Sequence, residues 1–315
     1  VETQLAGAKP GFGVMIAKKF KNKRQIYLML LPNVLIFSAM SIYPILWVLK
    51  YMFFQYDMTS PAKFIGLDNF VRAFTRDTYF WRTVLNTLVY VVGKLVLTLP
   101  FSFLLALLLN KKFRGNRAVQ AMIFSPTIMS ASVMAIIFYF LFNAYNGDVN
   151  HYLMKLGIIH SPVNWLGQDY AMLTVIIVGA WGALGNYMVY FLAGLQSIPN
   201  DIYESAEIDG VTPWRKLWSI TIPMLGPVLK IILMLAITIA FQDMQSIMVL
   251  TEGGPNGATE VMFLYVYKFF FPLSAGGLVR AEFGYGAALS VISAVIVGGI
   301  TMIYLFFTRK LDEIY

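Results

Sequence analysis

Residues 84–109 read VLNTLVYVVGKLVLTLPFSFLLALLL, an apolar run interrupted by one charge, Lys94. A helix of about 20 such residues crosses the roughly 30 Å of hydrocarbon in a bilayer. A barrel strand is about half as long and alternates apolar with polar positions, which this run does not. Backbone amides in lipid have no water to bond, so a run of this kind must be helical. Similar runs lie at about 27–53, 119–143, 171–195, 228–250 and 285–308. Together they predict an all-α membrane protein with six transmembrane helices.

Composition points the same way. The chain of 315 residues is 58% apolar and only 13% charged, with a mean hydropathy of +0.68, whereas soluble domains carry about a quarter charged residues. Its net charge of +8 reads first as orientation in the membrane, not as nucleic-acid binding. There is no cysteine, hence no disulfide framework or thiol chemistry. His151 and His160 fall in one predicted loop, and no Asp/Glu/His cluster has metal-ligand spacing. Neither a metal site nor catalytic residues are expected. No Gly-x-x-x-x-Gly-Lys-Ser/Thr motif is present, so this chain is not expected to bind nucleotide itself.

Lys18, Lys19, Lys21, Lys23 and Arg24 make residues 1–24 a basic arm. The apolar run behind it is longer than the roughly 7–15 residues of a signal-peptide core, so it is expected to stay as the first span of one transmembrane domain over 25–315. With an even number of spans between them, Lys111, Lys112, Arg114, Arg117, Arg215, Lys216, Lys230, Arg309 and Lys310 fall on the arm's side. That side is cytoplasmic by the positive-inside rule, which puts both termini inside. Lys63, Arg72, Arg76, Arg82, Lys155, Lys268 and Arg280 are spread over longer outer loops. Trp47, Tyr51, Trp81 and Trp165 suit anchoring at the outer interface. The outer loops carry a helical stretch from Phe70 to Trp81 and a turn cluster, TEGGPNG, opening 251–283. No internal repeat is evident.

The segment between the fourth and fifth spans is unlike the rest. Residues 204–223 read ESAEIDGVTPWRKLWSITIP. A short helix is expected over 199–207, with Asn200, Asp201 and Glu204 near its positive end. Asp209-Gly210 marks a sharp turn, because glycine readily takes positive φ. Thr212 as N-cap and Pro213 at the first position start a second helix. Its Trp214, Leu217 and Trp218 lie beside Arg215 and Lys216, and Pro223 and Pro227 are expected to interrupt it. An interfacial helix pinned to lipid and a knob seated in a cytoplasmic subunit both fit this pattern. Glu204, Glu207 and Asp209 favour the knob, since carboxylates gain nothing near an anionic leaflet.

Glu204-Ser205-Ala206, Gly210, Ile220 and Ile222-Pro223 match in spacing the EAA motif of binding-protein-dependent ABC importer permeases. Ser205 stands where alanine is usual and Ile222 where leucine is usual. Leu195-Gln196-Ser197-Ile198-Pro199, Leu250-Thr251-Glu252-Gly253-Gly254-Pro255, Gly66-Leu67-Asp68-Asn69 and Asn86-Thr87 resemble the carbohydrate branch of that family. From about residue 25 onward the chain is similar to the maltose-type first permease, without that protein's extra N-terminal spans and large outer domain. The resemblance implies a type I ABC importer permease fold whose 199–223 loop is the coupling helix-turn-helix. It implies a second related permease, two ATPase subunits that hold ATP and Mg, an extracytoplasmic solute-binding protein, and a bacterial cytoplasmic membrane. It also implies that Glu204, Ser205, Ala206, Asp209, Gly210, Ile220 and Pro223 meet or shape the ATPase contact.

A neutral sugar needs aromatic faces and hydrogen-bonding amides or carboxylates. The fourth span offers Trp181, Asn186, Tyr187 and Tyr190, and the fifth Thr238, Gln242, Asp243 and Gln245. On a continuous helix Gln242 and Gln245 share a face with Thr238, and Asp243 lies about 100° round. Sugar-contacting positions of the maltose-type permease map onto Gly182, Ala183, Asn186, Ala236, Ile239, Ala240 and Asp243, of which only Asn186 and Asp243 are polar, so a different substrate or contact geometry is implied. Polar residues in spans also glue helices together, so a structural role stays open for each. Lys94 and Asp243 are charges inside spans, where they are costly and usually paired or facing a cavity. Asp243 is expected either to accept sugar hydroxyls or to pair with Lys94. Ion-coupled secondary transport is the alternative, as is import of a non-sugar solute such as glycerol phosphate. A lone carboxylate well inside a span speaks against ion coupling, which uses chains of them.

Overall fold

The computed structural model describes residues 12–111, 113–271 and 281–308, with side chains from Gln25 onward. Expectations for Lys112, Arg280, Arg309, Lys310 and the basic side chains of the N-terminal arm lie outside the described residues. The first span is α1 (Phe12–Phe37), a π-helical turn over Ser38–Ile42, and α2 (Tyr43–Tyr51). Its widened turn falls just before Pro44, whose ring cannot donate to the preceding carbonyls. Outside it, β1 (Phe54–Gln55) and β2 (Lys63–Phe64) form a small antiparallel hairpin with Phe54 opposite Phe64. Asp57 holds the hairpin loop by accepting from the Thr59 and Ser60 amides at 3.0 and 2.7 Å.

The stretch expected as one helix from Phe70 to Trp81 is two. Helix α3 (Asp68–Thr75) ends before Asp77, whose carboxylate caps α4 (Thr78–Leu109) by accepting the Phe80 amide at 2.8 Å. Aspartate is a favoured N-cap, so the second span starts at Thr78 instead of 84. Helix α8 (Ala171–Ser197) and helix α15 (Phe283–Phe307) match the expected fourth and sixth spans within a few residues.

The third and fifth spans are broken, which a hydropathy reading did not foresee. Helices α5 (Asn116–Ile128) and α6 (Ala131–Leu141) meet at 98°. Pro126 weakens the end of α5, Met129 and Ser130 are extended, and Ser130 recaps the chain by accepting the Val133 amide at 3.2 Å. After α7 (Asp148–Lys155) and α8 come α9 (Asn200–Ile208), α10 (Pro213–Lys216), a π-helical turn over Leu217–Thr221, and α11 (Ile222–Met224). Helix α12 (Gly226–Gln242) then runs into the membrane, and Asp243 and Met244 separate it from α13 (Gln245–Thr251). Helix α14 (Met262–Phe270) precedes the sixth span.

Packing centres on α4 and α8. Tyr90, Lys94, Thr98, Ser102 and Ala106 line the buried face of α4. The Ser102 hydroxyl donates to the Leu184 carbonyl of α8 at 2.8 Å. Gly185 brings α8 against the α5 backbone: a Cβ there would lie 2.6 Å from the Ile123 carbonyl oxygen. Small residues permit such approach where lipid supplies no hydrophobic driving force. Leu109, Leu195, Ile198 and Leu225 cluster at one end of the bundle, the end that carries the 199–223 loop. Phe80, Met262, Tyr265 and Tyr285 cluster at the other, as alternating spans require. The first span differs from the rest, because none of the apolar stretch Gln25–Tyr51 is buried.

Candidate functional site

Four elements converge on a cavity of about 460 Å³ at the two breaks. From α4 comes Lys94. From the α5–α6 break come Pro126, Thr127, Met129, Ala131 and Met134, and from α8 Gly179, Gly182, Ala183, Asn186 and Tyr187. The α12–α13 break supplies Ile239 and 242–246. Irregular backbone at membrane depth is tolerated where it is buried in protein or lines a cavity, and both breaks meet that condition.

The floor of this cavity is a charged cluster. Lys94 Nζ lies 2.5 Å from Asp243 Oδ2, the Tyr90 hydroxyl donates to the same oxygen at 2.6 Å, and the Ser246 hydroxyl donates to Oδ1 at 2.9 Å. Asp243 thus ends α12, holds the start of α13 through Ser246, and pins both to α4. Gly179 makes room for this, since a Cβ there would collide with the Tyr90 hydroxyl and approach Asp243 Oδ2 at 3.6 Å.

The expected pathway residues divide accordingly. Asn186, Tyr187, Gln242, Asp243 and Gln245 line the cavity together with Lys94. Trp181 does not; it is exposed. Tyr190 packs in the hydrophobic cluster beside Tyr187, and the Thr238 hydroxyl bonds back to the Met234 carbonyl at 2.9 Å. The shared face drawn for Thr238, Gln242 and Gln245 holds only for Thr238 and Gln242, because α12 stops at Gln242 and Gln245 begins α13. Of the positions carried over from the maltose-type permease, Gly182, Ala183, Asn186, Ile239 and Asp243 line the cavity, whereas Ala236 and Ala240 are buried in packing. The wall from the third span was missed. Its signal was Ser125-Pro126 and Ser130 inside an apolar run.

The 199–223 loop is a braced helix-turn-helix. At Gly210, φ is +69°. Its amide donates to the Glu207 carbonyl at 3.1 Å, and the Val211 amide to the Ala206 carbonyl at 3.0 Å. This paired closure with a left-handed glycine is the Schellman motif. Lys216 Nζ bridges to Glu207 Oε1 at 2.7 Å, and the Tyr203 and Thr221 hydroxyls lie 3.2 Å apart. Glu204, Ser205 and Asp209 are exposed, Ala206 is buried, and Ile220 and Pro223 are half-buried. Ile208, at 87% exposure, stands out beside Trp214 and Trp218; its prominence was not anticipated.

Three local details differ from expectation. Thr212 occupies the cap position of α10 without a side-chain cap bond; its carbonyl accepts the Lys216 amide instead. The second helix widens into a π turn from Leu217. Pro223 begins α11 without stopping the chain, and the 70° bend comes between Met224 and Gly226, with Pro227 in the first turn of α12, where its missing amide matters least.

On the opposite end, a rigid turn closes the fifth span. Asn86 donates to the Gly257 and Glu260 carbonyls at 2.9 and 3.1 Å, and the Tyr79 hydroxyl donates to Glu260 at 2.5 Å. Lys268 Nζ pairs with Glu260 at 2.7 Å. Nearby, Asp77 accepts from the Tyr265 and Tyr285 hydroxyls at 3.0 and 2.6 Å. Burial first, and the Asp77 carboxylate second, push the Tyr265 phenol well above its ordinary range, so it remains a donor. No group of three or more candidate metal ligands occurs among the described residues.

Comparison with known proteins extends this geometry. Residues 98–313 match the family model described as binding-protein-dependent transport system inner membrane component. The chain is 33% identical over 292 residues to the arabinooligosaccharides transport system permease protein of Bacillus subtilis (strain 168), covering 91% of this chain and 89% of the relative. It is 30% identical over 288 residues to an sn-glycerol-3-phosphate transport system permease protein of Yersinia enterocolitica, covering 90% and 94%. Its fold is similar, at a TM-score of 0.79 and 23% identity, to a chain of a bacterial alginate ABC transporter crystallised with an alginate pentasaccharide-bound periplasmic protein, covering 93% and 97%.

Proposed function

The chain belongs to the binding-protein-dependent transport system inner membrane components, and from that premise we propose that it carries a sugar or oligosaccharide through the cavity at Lys94 and Asp243. As an ABC importer permease it is a transport component and not an enzyme, and its family implies a solute-binding protein and ATPase partners. The permease itself needs no cofactor; in this proposal ATP and Mg reside on two ATPase subunits, and a second related permease completes the pathway. The first span supports that second permease: its α2 half packs on α15, but none of its apolar stretch is buried, and the exposed face of α1 offers a packing surface within the membrane. Both termini, and the 199–223 loop with them, would face the cytoplasm.

One observation carries the mechanism: the loop joins the two helices that wall the cavity. Helix α8 holds Gly179, Gly182, Asn186 and Tyr187 against it and continues through Ile198-Pro199 into α9. Helix α12 holds Ile239 and ends at Asp243, and it begins at the 70° bend after α11. From Asn186 to the end of α8, and from the start of α12 to Ile239, is roughly 15–20 Å at 1.5 Å per residue. Displacement of the braced loop therefore tilts both walls together. ATP closes the ATPase pair, the loop follows through Glu204, Ile208 and the exposed turn, and the cavity passes from inward-open to outward-open while the binding protein releases its sugar. Hydrolysis resets it. ATP binding shifts this equilibrium only through contacts that differ between the two states, and the loop is where we place them.

Affinity purification from native membranes tests the partnership. An ATPase and a second permease are expected to copurify in fixed ratio, with ATP hydrolysis stimulated by sugar-loaded binding protein. A chain that purifies alone and transports alone would refute it.

A further inference from the structure

The two charges in the cavity are a matched pair. Lys94 and Asp243 are the only Lys, Arg, Asp or Glu among its described lining residues; the other polar groups there include Thr127, Asn186, Tyr187, Gln242, Gln245 and Ser246. Their side chains are 7% and 16% exposed, at 2.5 Å separation. The carboxylate is fully engaged by Lys94, Tyr90 and Ser246, all from α4 and α13. An ammonium carries three N–H donors, and Asp243 takes one from Lys94.

We propose that Asp243 is a specificity-determining residue which cancels the charge of Lys94, so that the cavity admits uncharged polyhydroxyl solutes and rejects anionic ones. This deepens, and rests on, the sugar reading above. The argument is electrostatic. Taking a carboxylate or phosphate group out of water is expensive unless a cation is free to meet it. Here the cation already has a counter-charge in contact, and an anionic sugar would have to displace it or sit beside Asp243. A neutral sugar meets no such barrier, because carboxamides and the remaining ammonium protons bond hydroxyls without separating the pair. Removing the carboxylate while keeping its shape would leave Lys94 uncompensated in a low-dielectric site and reverse the preference. A purely structural role for the pair, joining α4 to the α12–α13 break, predicts no such reversal.

The test measures equilibrium binding of two labelled trisaccharides of equal length, one neutral and one built of uronates, to the purified importer complex without its binding protein. Wild type is expected to favour the neutral sugar by about tenfold or more. Asp243→Asn is expected to shift the acidic-to-neutral ratio toward the acid by at least about tenfold, with salt-sensitive acid binding. Lys94→Met/Asp243→Asn, which removes both charges, is expected to lose that salt-sensitive gain. Equal affinity of wild type for the two sugars overturns the inference even if the variants fail to assemble. So does an unchanged ratio in a well-assembled Asp243→Asn complex. If neither sugar binds wild type, the sugar reading fails and the inference falls with it, which separates the two failures.

Discussion

Replacing Gly210 should uncouple ATP hydrolysis from uptake in a graded way set by backbone geometry alone. At φ +69° the residue closes α9 through the Glu207 and Ala206 carbonyls. A Cβ there would meet nothing within 4 Å, so a side chain clashes with no neighbour and the penalty is conformational. A non-glycine residue in the left-handed region costs about 1–2 kcal/mol, with asparagine the best tolerated. That lowers the population of the turned state by about 5–30-fold where the turn is marginal. Proline is worse: it locks φ near −65° and removes the amide that bonds Glu207, for about 3 kcal/mol or more. The expected order of coupling is Gly, then Asn, then Ala, then Pro. The assay is sugar accumulated per ATP hydrolysed in proteoliposomes, alongside the amount of complex in the membrane, which should change little because the turn is exposed. Unchanged coupling in Gly210→Pro, or Asn and Pro variants equally impaired, would refute the reasoning.

Other outcomes follow from individual contacts. Glu204→Lys, at an exposed position on α9, should leave the protein in the membrane but reduce sugar-stimulated ATPase; full stimulation would remove Glu204 from the docking surface. Gly185→Leu should destabilise the bundle by about 1–3 kcal/mol or more by forcing α5 from α8, since the obstruction is backbone; an unshifted melting midpoint in detergent would contradict that contact. Asn86→Ala removes two bonds to the 252–261 turn, about 1 kcal/mol each, and should speed amide exchange over 252–261 roughly thirtyfold; unchanged exchange would mean the turn is held otherwise. Lys94→Met strands a carboxylate in the membrane and should cost about 3–5 kcal/mol, more than Lys94→Met/Asp243→Asn; thermal stability in the opposite order would refute the pair.

The parts of the fold that were legible in sequence are those where composition changes abruptly. Helices α4, α8 and α15 are bounded by polar loops, and Gly210 with Pro213 marks the turn in the 199–223 loop, because glycine readily takes the positive φ needed there and proline presets the φ of a first helical position. The broken third span was hidden because apolar residues continue on both sides of Met129, and the fifth because Gln242, Asp243 and Gln245 were read as polar positions on one continuous helix. Asp243 was visible as an odd charge, yet a regular helix drawn through it wrongly continued the face of Thr238 and Gln242 to Gln245. Trp181 was assigned to the pathway on chemistry alone, and its position on α8 leaves it exposed and out of the cavity lining. Which face of a buried span meets the cavity is decided by where its neighbours break, and that is a tertiary property.

The central claim is that ATP, acting through the 199–223 loop, moves sugar through the cavity at Lys94 and Asp243. Uptake of a labelled neutral oligosaccharide into proteoliposomes holding the purified complex tests it most directly, with ATP inside, sugar-loaded binding protein outside and ionophores collapsing every ion gradient. Accumulation that requires ATP, tracks its hydrolysis and is lost in Gly210→Pro is the predicted result. Uptake that persists without ATP and follows an imposed ion gradient would contradict it.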